Sequence, residues 1–85
     1  MLDNIGMRYV YILRSLSHPK QRYFGITKDL KTRLEYHNSG RCSYTAKHRP
    51  WRVDTYIGFS DEKKAIEFER YLKTGAGQAF SKKRL

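Results

Sequence analysis

The segment RYVYILR at residues 8–14, followed by RYFGIT at residues 22–27, decides the architecture of this chain. Both segments are short and rich in β-branched and aromatic residues, which favour β-strands. The stretch between them, residues 15–21, contains Ser, His and Pro and is typical of a hairpin loop. The pattern therefore predicts two neighbouring antiparallel strands. Gly25 lies inside the second strand, where a glycine indicates a bulge or the close approach of another group.

A helix and a loop are predicted after this hairpin. Thr27 or Asp29 can cap the helix, because each side chain carries an oxygen that accepts from backbone N–H groups. Gly40 is expected just past its end, since glycine readily adopts the left-handed conformation found there. Residues 41–50 (RCSYTAKHRP) are basic and polar, and they predict a long loop of the functional or mobile kind.

Residues 51–59 (WRVDTYIGF) alternate well enough to predict a third strand. Because side chains alternate along a strand, four of its residues would share one face: Trp51, Val53, Thr55 and Ile57. Ser60 is expected to cap a second helix over residues 61–73.

The order β-β-α-β-α with a C-terminal helix predicts an α+β fold, a small three-stranded antiparallel sheet flanked by helices. A chain of 85 residues is expected to form one domain over residues 1–85. Residues 1–6 are interpreted as a flexible lead. Residues 76–85 are interpreted as a basic C-terminal tail that ends in a short helix.

Eighteen Lys and Arg residues against eight Asp and Glu residues give a net charge of +10. A domain this basic most often binds a polyanion, and nucleic acid is the first expectation. A membrane partner is not expected, because no segment pairs a long apolar face with a basic one. A solvated basic surface without a partner is the alternative.

The single cysteine, Cys42, allows no disulfide within the chain and no cysteine-based zinc site. This cysteine usage fits a reducing cytoplasm. The first six residues contain no apolar run of the length of a signal peptide or a membrane span. We therefore expect a cytoplasmic protein.

Arg33 and His37 lie four residues apart on the first predicted helix and project from the same face. Arginine suits bidentate contact with a phosphate, and histidine can bind phosphate, orient a water or transfer protons. A solvated helix face is the alternative interpretation of this pair.

Tyrosines crowd the predicted hairpin, among them Tyr9, Tyr11 and Tyr23. A phenol is a poor base at neutral pH, and it becomes useful beside a metal or a guanidinium that stabilises the phenolate. Packing of strand-favouring aromatics is the alternative for each of them.

Glu69 lies between apolar residues of the second predicted helix, so its carboxylate is expected to point towards the sheet. An inward carboxylate needs a cationic partner. Mg²⁺ is often held by one or two carboxylates together with substrate phosphates. A structural salt bridge to an arginine such as Arg33 is the alternative.

These segments together resemble the GIY-YIG nuclease superfamily, in particular its small single-domain members, over about residues 8–80. Residues 9–11 (YVY) stand at the GIY element, and residues 23–25 (YFG) stand at the YIG element. Three further parts are typical of the family: residues 25–34, residues 37–40 followed by 44–51, and the helix segment around Glu69. Two departures are Tyr9 in place of the usual glycine and the lack of an asparagine after Glu69, where Gln78 is the nearest amide.

The resemblance implies hydrolysis of a phosphodiester bond in DNA with one divalent cation, Mg²⁺ or Mn²⁺. It implies that Tyr11 or Tyr23 acts as general base, and it does not say which. It further implies that Arg33 stabilises the charge developing on the phosphate and that His37 assists proton transfer or contacts phosphate. Glu69 is the implied metal ligand.

Basic residues outside these motifs are expected to bind the nucleic acid: Arg41, Lys47, His48, Arg49, Arg52, Lys82 and Lys83. Duplex or branched DNA is the expected partner in a repair or recombination setting, RNA is an alternative, and a partner protein or a homodimer is an option for targeting. Two other functions stay open. One is a nucleic-acid-binding module on the same scaffold with little cleavage, and the other is a protein-interaction domain.

Overall fold

The computed structural model describes residues 6–85, so the flexible lead predicted at residues 1–6 lies, apart from Gly6, outside the described residues. Three strands and four helices follow one another along the chain: β1 (Arg8–Ser15), β2 (Arg22–Thr27), α1 (Leu30–Asn38), α2 (Ser43–Ala46), β3 (Trp51–Phe59), α3 (Glu62–Leu72) and α4 (Gly75–Arg84). The strands form one sheet in the order β2-β1-β3, and both pairings are antiparallel. The predicted α+β fold and the order of its elements are confirmed.

The sheet buries side chains on both faces, because successive residues of β1 point to opposite sides. Val10 and Ile12 pack with Phe24 and, from α3, with Ala65 and Leu72. On the other face, two β1 residues and Trp51 form a second cluster, against which two leucines of α1 pack: Tyr11, Leu13, Leu30 and Leu34. The sheet therefore separates α1 from α3, and side chains from its two faces can meet only at the edge of the sheet.

A β-bulge in β3 overturns the prediction that four alternating residues of this strand share one face. Ile12 pairs with Thr55, whereas its neighbour Leu13 pairs with Val53, so Asp54 is an extra residue on β3. One inserted residue reverses the alternation that follows it. Trp51 and Val53 consequently pack beside Leu13, while Thr55 and Ile57 lie on the opposite face.

Helix caps explain where the helices begin. The Asp29 carboxylate accepts from the Thr32 backbone N–H at 3.1 Å, which confirms one of the two predicted caps of α1. Asp61, and not the predicted Ser60, caps α3 by accepting from the Lys64 N–H at 3.2 Å. Gly40 follows α1 with a φ of +85°, as predicted for a residue just past a helix.

The loop predicted at residues 41–50 includes the single helical turn α2, whose Thr45 is buried. The short helix predicted in the basic tail at residues 76–85 is found as α4, in which Gly77 and Ser81 are buried. Arg22 of β2 bonds to Gln78 and Ser81 of α4, a contact distant in sequence that local composition does not reveal.

Within residues 6–85, no helix is long and apolar enough to cross a membrane.

Candidate active site

Tyr11 and Gly25 are paired neighbours on β1 and β2, and the phenol ring of Tyr11 lies across the glycine. A Cβ atom at Gly25 would overlap the ring and the hydroxyl of Tyr11. The close approach predicted for this glycine is therefore confirmed, and its cause is the Tyr11 side chain. Gly25 lets the Tyr11 hydroxyl reach over the edge strand of the sheet.

A buried hydrogen-bond chain starts at this hydroxyl. Tyr11 Oη lies 3.0 Å from His37 Nε2, and His37 Nδ1 lies 2.9 Å from Thr45 Oγ1. The Thr45 hydroxyl also donates to the Cys42 carbonyl oxygen at 3.4 Å, which leaves its lone pairs free to accept from His37 Nδ1. His37 Nε2 then accepts the proton of Tyr11, so the chain runs from the phenol to the imidazole.

Ionisation in this cluster is governed mainly by burial. Burial raises the pKa of Tyr11 and that of Tyr23, while the nearby Arg33 charge acts to lower both. Burial and the Arg33 charge lower the pKa of His37, so this imidazole is neutral at pH 7. A neutral imidazole is able to accept the Tyr11 proton, as the hydrogen-bond chain requires.

Tyr23 lies beside this pair and is less buried. Its ring centroid is 4.7 Å from that of His37 and 6.3 Å from that of Tyr11. Tyr23 also lines an open groove between β2 and α2, whereas Tyr11 is only 2% exposed. Of the two tyrosines, Tyr23 is therefore the one that a substrate can approach.

Arg33 is exposed on α1, close to the tyrosines and to His37. Its guanidinium lies 5.4 Å from the ring of Tyr36, and the guanidinium of Arg41 lies 5.5 Å from the same ring. Within residues 6–85, Arg33 makes no salt bridge. Its positive charge is therefore available to an anionic ligand.

Glu69 lies on α3, which packs on the other face of the sheet from Tyr11 and α1. Burial is the main cause that raises the pKa of Tyr11 and of Tyr23, and the negative charge of Glu69 acts weakly in the same direction. The Glu69 side chain is 12% exposed and forms a salt bridge of 2.5 Å with Lys73, one helical turn further on. The structural salt bridge weighed as the alternative for Glu69 is therefore present, with Lys73 as the partner in place of an arginine such as Arg33.

The other acids of α3 lie elsewhere. Glu62 is paired with Arg8 at 3.1 Å, and Glu67 is exposed. Among the described residues, no group of three or more His, Cys, Asp or Glu side chains is arranged to hold a metal. A single, largely buried carboxylate fits a cation that binds together with substrate phosphates, and it does not fit a cage made by the protein alone.

Two basic grooves flank the cluster. The first, which we call the β2 groove, has a volume of about 830 Å³ and is lined by Gln21, Arg22, Tyr23, Phe24, Ser43, Tyr44, Thr45, Lys47, His48, Trp51 and Lys73. The second, which we call the α1 groove, has a volume of about 810 Å³, and its lining includes Arg8, Arg33, Tyr36 and Arg41. Tyr23 opens onto the β2 groove and Arg33 onto the α1 groove, whose lining also contains Asp29 and Glu62.

The basic residues predicted to bind nucleic acid are distributed over several surfaces. Lys47 and His48 line the β2 groove, and Arg41 lines the α1 groove. Four others lie outside both grooves: Arg49, Arg52, Lys82 and Lys83. Arg49 donates to the Ala46 carbonyl oxygen, and Arg52 is ion-paired with Asp54.

Lys82 lines a separate pocket with Arg14 and Lys20, and Lys83 is exposed on α4. The structure therefore brings only part of the predicted set to the tyrosines.

Sequence reasoning missed two residues of the cluster. Lys73 lies four positions after Glu69, a spacing at which helical side chains meet, and this signal was available. Thr45 is buried at the end of the Tyr11–His37 chain, and nothing in its local sequence marks it.

The sequence profile described as the GIY-YIG catalytic domain matches residues 7–83, which is nearly the whole chain. The chain belongs to the GIY-YIG family. Its resemblance to that family, expected from the two tyrosine motifs and the helix around Glu69, is confirmed.

Relatives of this GIY-YIG chain fall into two groups. The structure-specific endonuclease subunit SLX1 of Malassezia globosa is 43% identical over 63 residues, which are 69% of the chain and 14% of that protein. The subunit of the same name from Candida dubliniensis is 38% identical over 71 residues, 75% of the chain and 25% of that protein. A UPF0213 protein of Streptococcus pneumoniae is 33% identical over 73 residues, 85% of the chain and 70% of that protein. The chain thus spans a quarter or less of the two SLX1 proteins and most of the UPF0213 protein.

Proposed function

We propose that this GIY-YIG chain is a divalent-metal-dependent endonuclease that hydrolyses phosphodiester bonds in DNA. The observation that carries the proposal is that the Tyr11–His37 pair lies against Tyr23 at the β2 groove, which is also lined by Lys73, the salt-bridge partner of Glu69. This arrangement is difficult to explain by packing alone, because burying phenols and an imidazole together is unfavourable without a use.

Glu69 is the proposed ligand of the cation, Mg²⁺ or Mn²⁺. When bound, the cation supplies Lewis-acid stabilisation of the phosphate and of the leaving oxygen. Glu69 suits this role because it is the largely buried acid of α3 and its partner Lys73 lines the β2 groove with Tyr23. Its neighbour Lys73 would have to move away from it, and the exposed position of Lys73 permits this.

Tyr23 is proposed as the general base that takes a proton from the attacking water. It faces the β2 groove, where burial raises its pKa and the positive charges of Lys73 and Arg33 act against that rise. Tyr11 is then a positioning residue, held by its hydrogen bond to neutral His37. Arg33 is proposed to stabilise the charge that develops on the phosphate, which is typically worth a factor of ~100 or more in rate.

The substrate and the setting are proposed from the relatives. Two of them are named structure-specific endonuclease subunits, which supports branched DNA as the substrate of this chain and a role in repair or recombination. The word subunit in those names supports a partner protein, or a second copy of the chain, as the means of targeting. A cytoplasmic location is proposed from the single cysteine.

A nucleic-acid-binding module with little cleavage is the second candidate, and one observation favours it. Lys73 occupies the carboxylate of Glu69 with a short salt bridge. If that salt bridge persists when DNA is bound, the protein can still bind DNA in its grooves, but it does not cleave the DNA.

A cleavage panel tests the two candidates. Single-stranded, duplex, flapped and four-way-junction DNA and single-stranded RNA would each be incubated with the protein and Mg²⁺, Mn²⁺ or EDTA. We expect cleavage of a branched DNA with either metal and none with EDTA. Binding to all the DNA substrates without cleavage of any would replace the nuclease proposal with the binding module.

A further inference from the structure

Tyr44 has the most exposed large hydrophobic side chain in the described part of the chain, with 83% of its surface accessible. It lies on α2, at the edge of the β2 groove. An exposed aromatic ring needs no explanation by itself. Two further features point to a function for Tyr44. Its backbone is fixed, and the groove beside it is basic.

The backbone beneath Tyr44 is fixed to the core of the protein. Its neighbour Thr45 is 1% exposed, and the Thr45 carbonyl oxygen accepts from Trp51 Nε1 at 2.8 Å. The Thr45 hydroxyl is bonded to His37 in the Tyr11 chain. The ring of Tyr44 is therefore presented to solvent from a fixed backbone, one residue away from the hydrogen-bond chain of the site.

The β2 groove beside this ring has the chemistry of a nucleic-acid strand site. Its lining carries Arg22, Lys47 and Lys73 and contains no Asp or Glu. Proteins that bind single strands combine such a positive groove with aromatic rings on which bases stack. A protein ligand would need an acidic segment to match this lining, and it would gain nothing particular from a planar ring at the edge.

Stacking also selects between single and double strands. A base inside a duplex is covered on both faces by its neighbours, so it has no face free for Tyr44. An unpaired base has a free face, and the phosphates next to it can reach Lys47 and Lys73. We propose that the β2 groove binds a single-stranded segment of DNA, with one unpaired base stacked on Tyr44 and the strand leading to Tyr23. This inference deepens the proposed function, because it names the part of a branched substrate that enters the site.

The test measures binding without cleavage. Fluorescence anisotropy in EDTA would compare a single-stranded 12-mer with a hairpin duplex of similar length, for the parent protein, Tyr44→Ala, Tyr44→Phe and Tyr56→Ala. Tyr56 is the matched control, because it is also an exposed tyrosine and lies outside the groove. A second readout is the quenching of 2-aminopurine, placed along the single strand, when the base stacks.

We expect Tyr44→Ala to weaken binding of the single strand about 5- to 150-fold, the range for loss of one stacking aromatic, and to abolish the 2-aminopurine quenching. Duplex binding should change less than twofold, and Tyr44→Phe and Tyr56→Ala should behave as the parent. Equal losses for single and double strands, or unchanged quenching in Tyr44→Ala, would overturn the inference. Because EDTA prevents metal-dependent cleavage, these results are independent of whether the chain proves to be a nuclease.

Discussion

At the scale of single residues, Tyr11 connects three parts of the chain through one side chain. Its ring lies over Gly25 of β2, and its hydroxyl bonds to His37 of α1, which is bonded in turn to Thr45 of α2. Tyr11 itself is buried, so it does not meet a substrate directly. Its buried position predicts that Tyr11 and Tyr23 have different roles in cleavage.

We expect Tyr23→Phe to slow single-turnover DNA cleavage by ~10²–10⁴-fold, the contribution typical of a general base. Tyr11→Phe should slow it less and should lower the free energy of unfolding by about 1 kcal/mol, because a buried hydrogen bond is lost. Rapid-quench kinetics and urea denaturation give the two quantities. Parent rates in both variants would mean that the water is activated elsewhere.

The buried imidazole of His37 predicts a dependence of stability on pH. Its pKa is lowered in the folded state, so below about pH 6.5 the unfolded chain takes up a proton that the folded chain does not. The stabilisation is present above that pH and is lost as the pH falls towards the lowered folded pKa, at up to ~1.36 kcal/mol per pH unit. Urea denaturation between pH 7.5 and 5.5 should show this slope, and His37→Gln should flatten it. The same slope in both proteins would argue against a neutral, buried His37.

At the scale of elements, the bulge in β3 and the course of α3 decide where charges lie. Asp54 is the extra residue of the bulge, and its carboxylate lies 3.1 Å from Arg14 and 3.2 Å from Arg52. Helix α3 packs on the opposite face of the sheet from α1, and its Glu69 is paired with Lys73, which lines the β2 groove. Asp54 and Glu69 are thus placed by β3 and α3, and each pairs with basic side chains of this chain.

The salt bridge on α3 predicts competition between Lys73 and a metal ion for Glu69. Lys73→Gln removes the positive charge from the carboxylate, so Mn²⁺ should bind the DNA-free protein about 2- to 5-fold more tightly, as expected for a salt bridge worth ~0.5–1 kcal/mol. Electron paramagnetic resonance of free Mn²⁺ measures this affinity. Lys64→Gln is the matched control, because Lys64 is an exposed lysine of the same helix. Weaker Mn²⁺ binding in Lys73→Gln would show that Lys73 does not compete for Glu69.

Most elements could be predicted from the sequence, because their signals are local. Apolar and aromatic runs marked the strands, and Asp29 and Gly40 marked the two ends of α1. The bulge could not be predicted, since it depends on how β3 pairs with β1. The single turn α2 could not be predicted either, because it is stabilised by the burial of Thr45 and not by a helical sequence pattern.

At the scale of the whole molecule, the basic residues behind the net charge of +10 are distributed over several surfaces. The β2 groove and the α1 groove bring basic side chains to the two sides of the cluster, whereas Arg52 is neutralised by Asp54. Composition predicted a polyanionic partner, but it could not assign each basic residue to a surface. The family resemblance indicated the candidate site residues. The distances between their side chains could be obtained only from the folded structure.

The comparison of Glu69→Gln with Glu67→Gln tests the central claim most directly. Both acids lie on α3, but Glu69 is largely buried and paired with Lys73, whereas Glu67 is exposed. Single-turnover cleavage of the preferred DNA in Mg²⁺ should fall at least ~100-fold in Glu69→Gln and remain at the parent rate in Glu67→Gln, with circular dichroism and DNA affinity unchanged in both. Cleavage by Glu69→Gln at the parent rate would contradict the assignment of the metal-dependent site to this cluster.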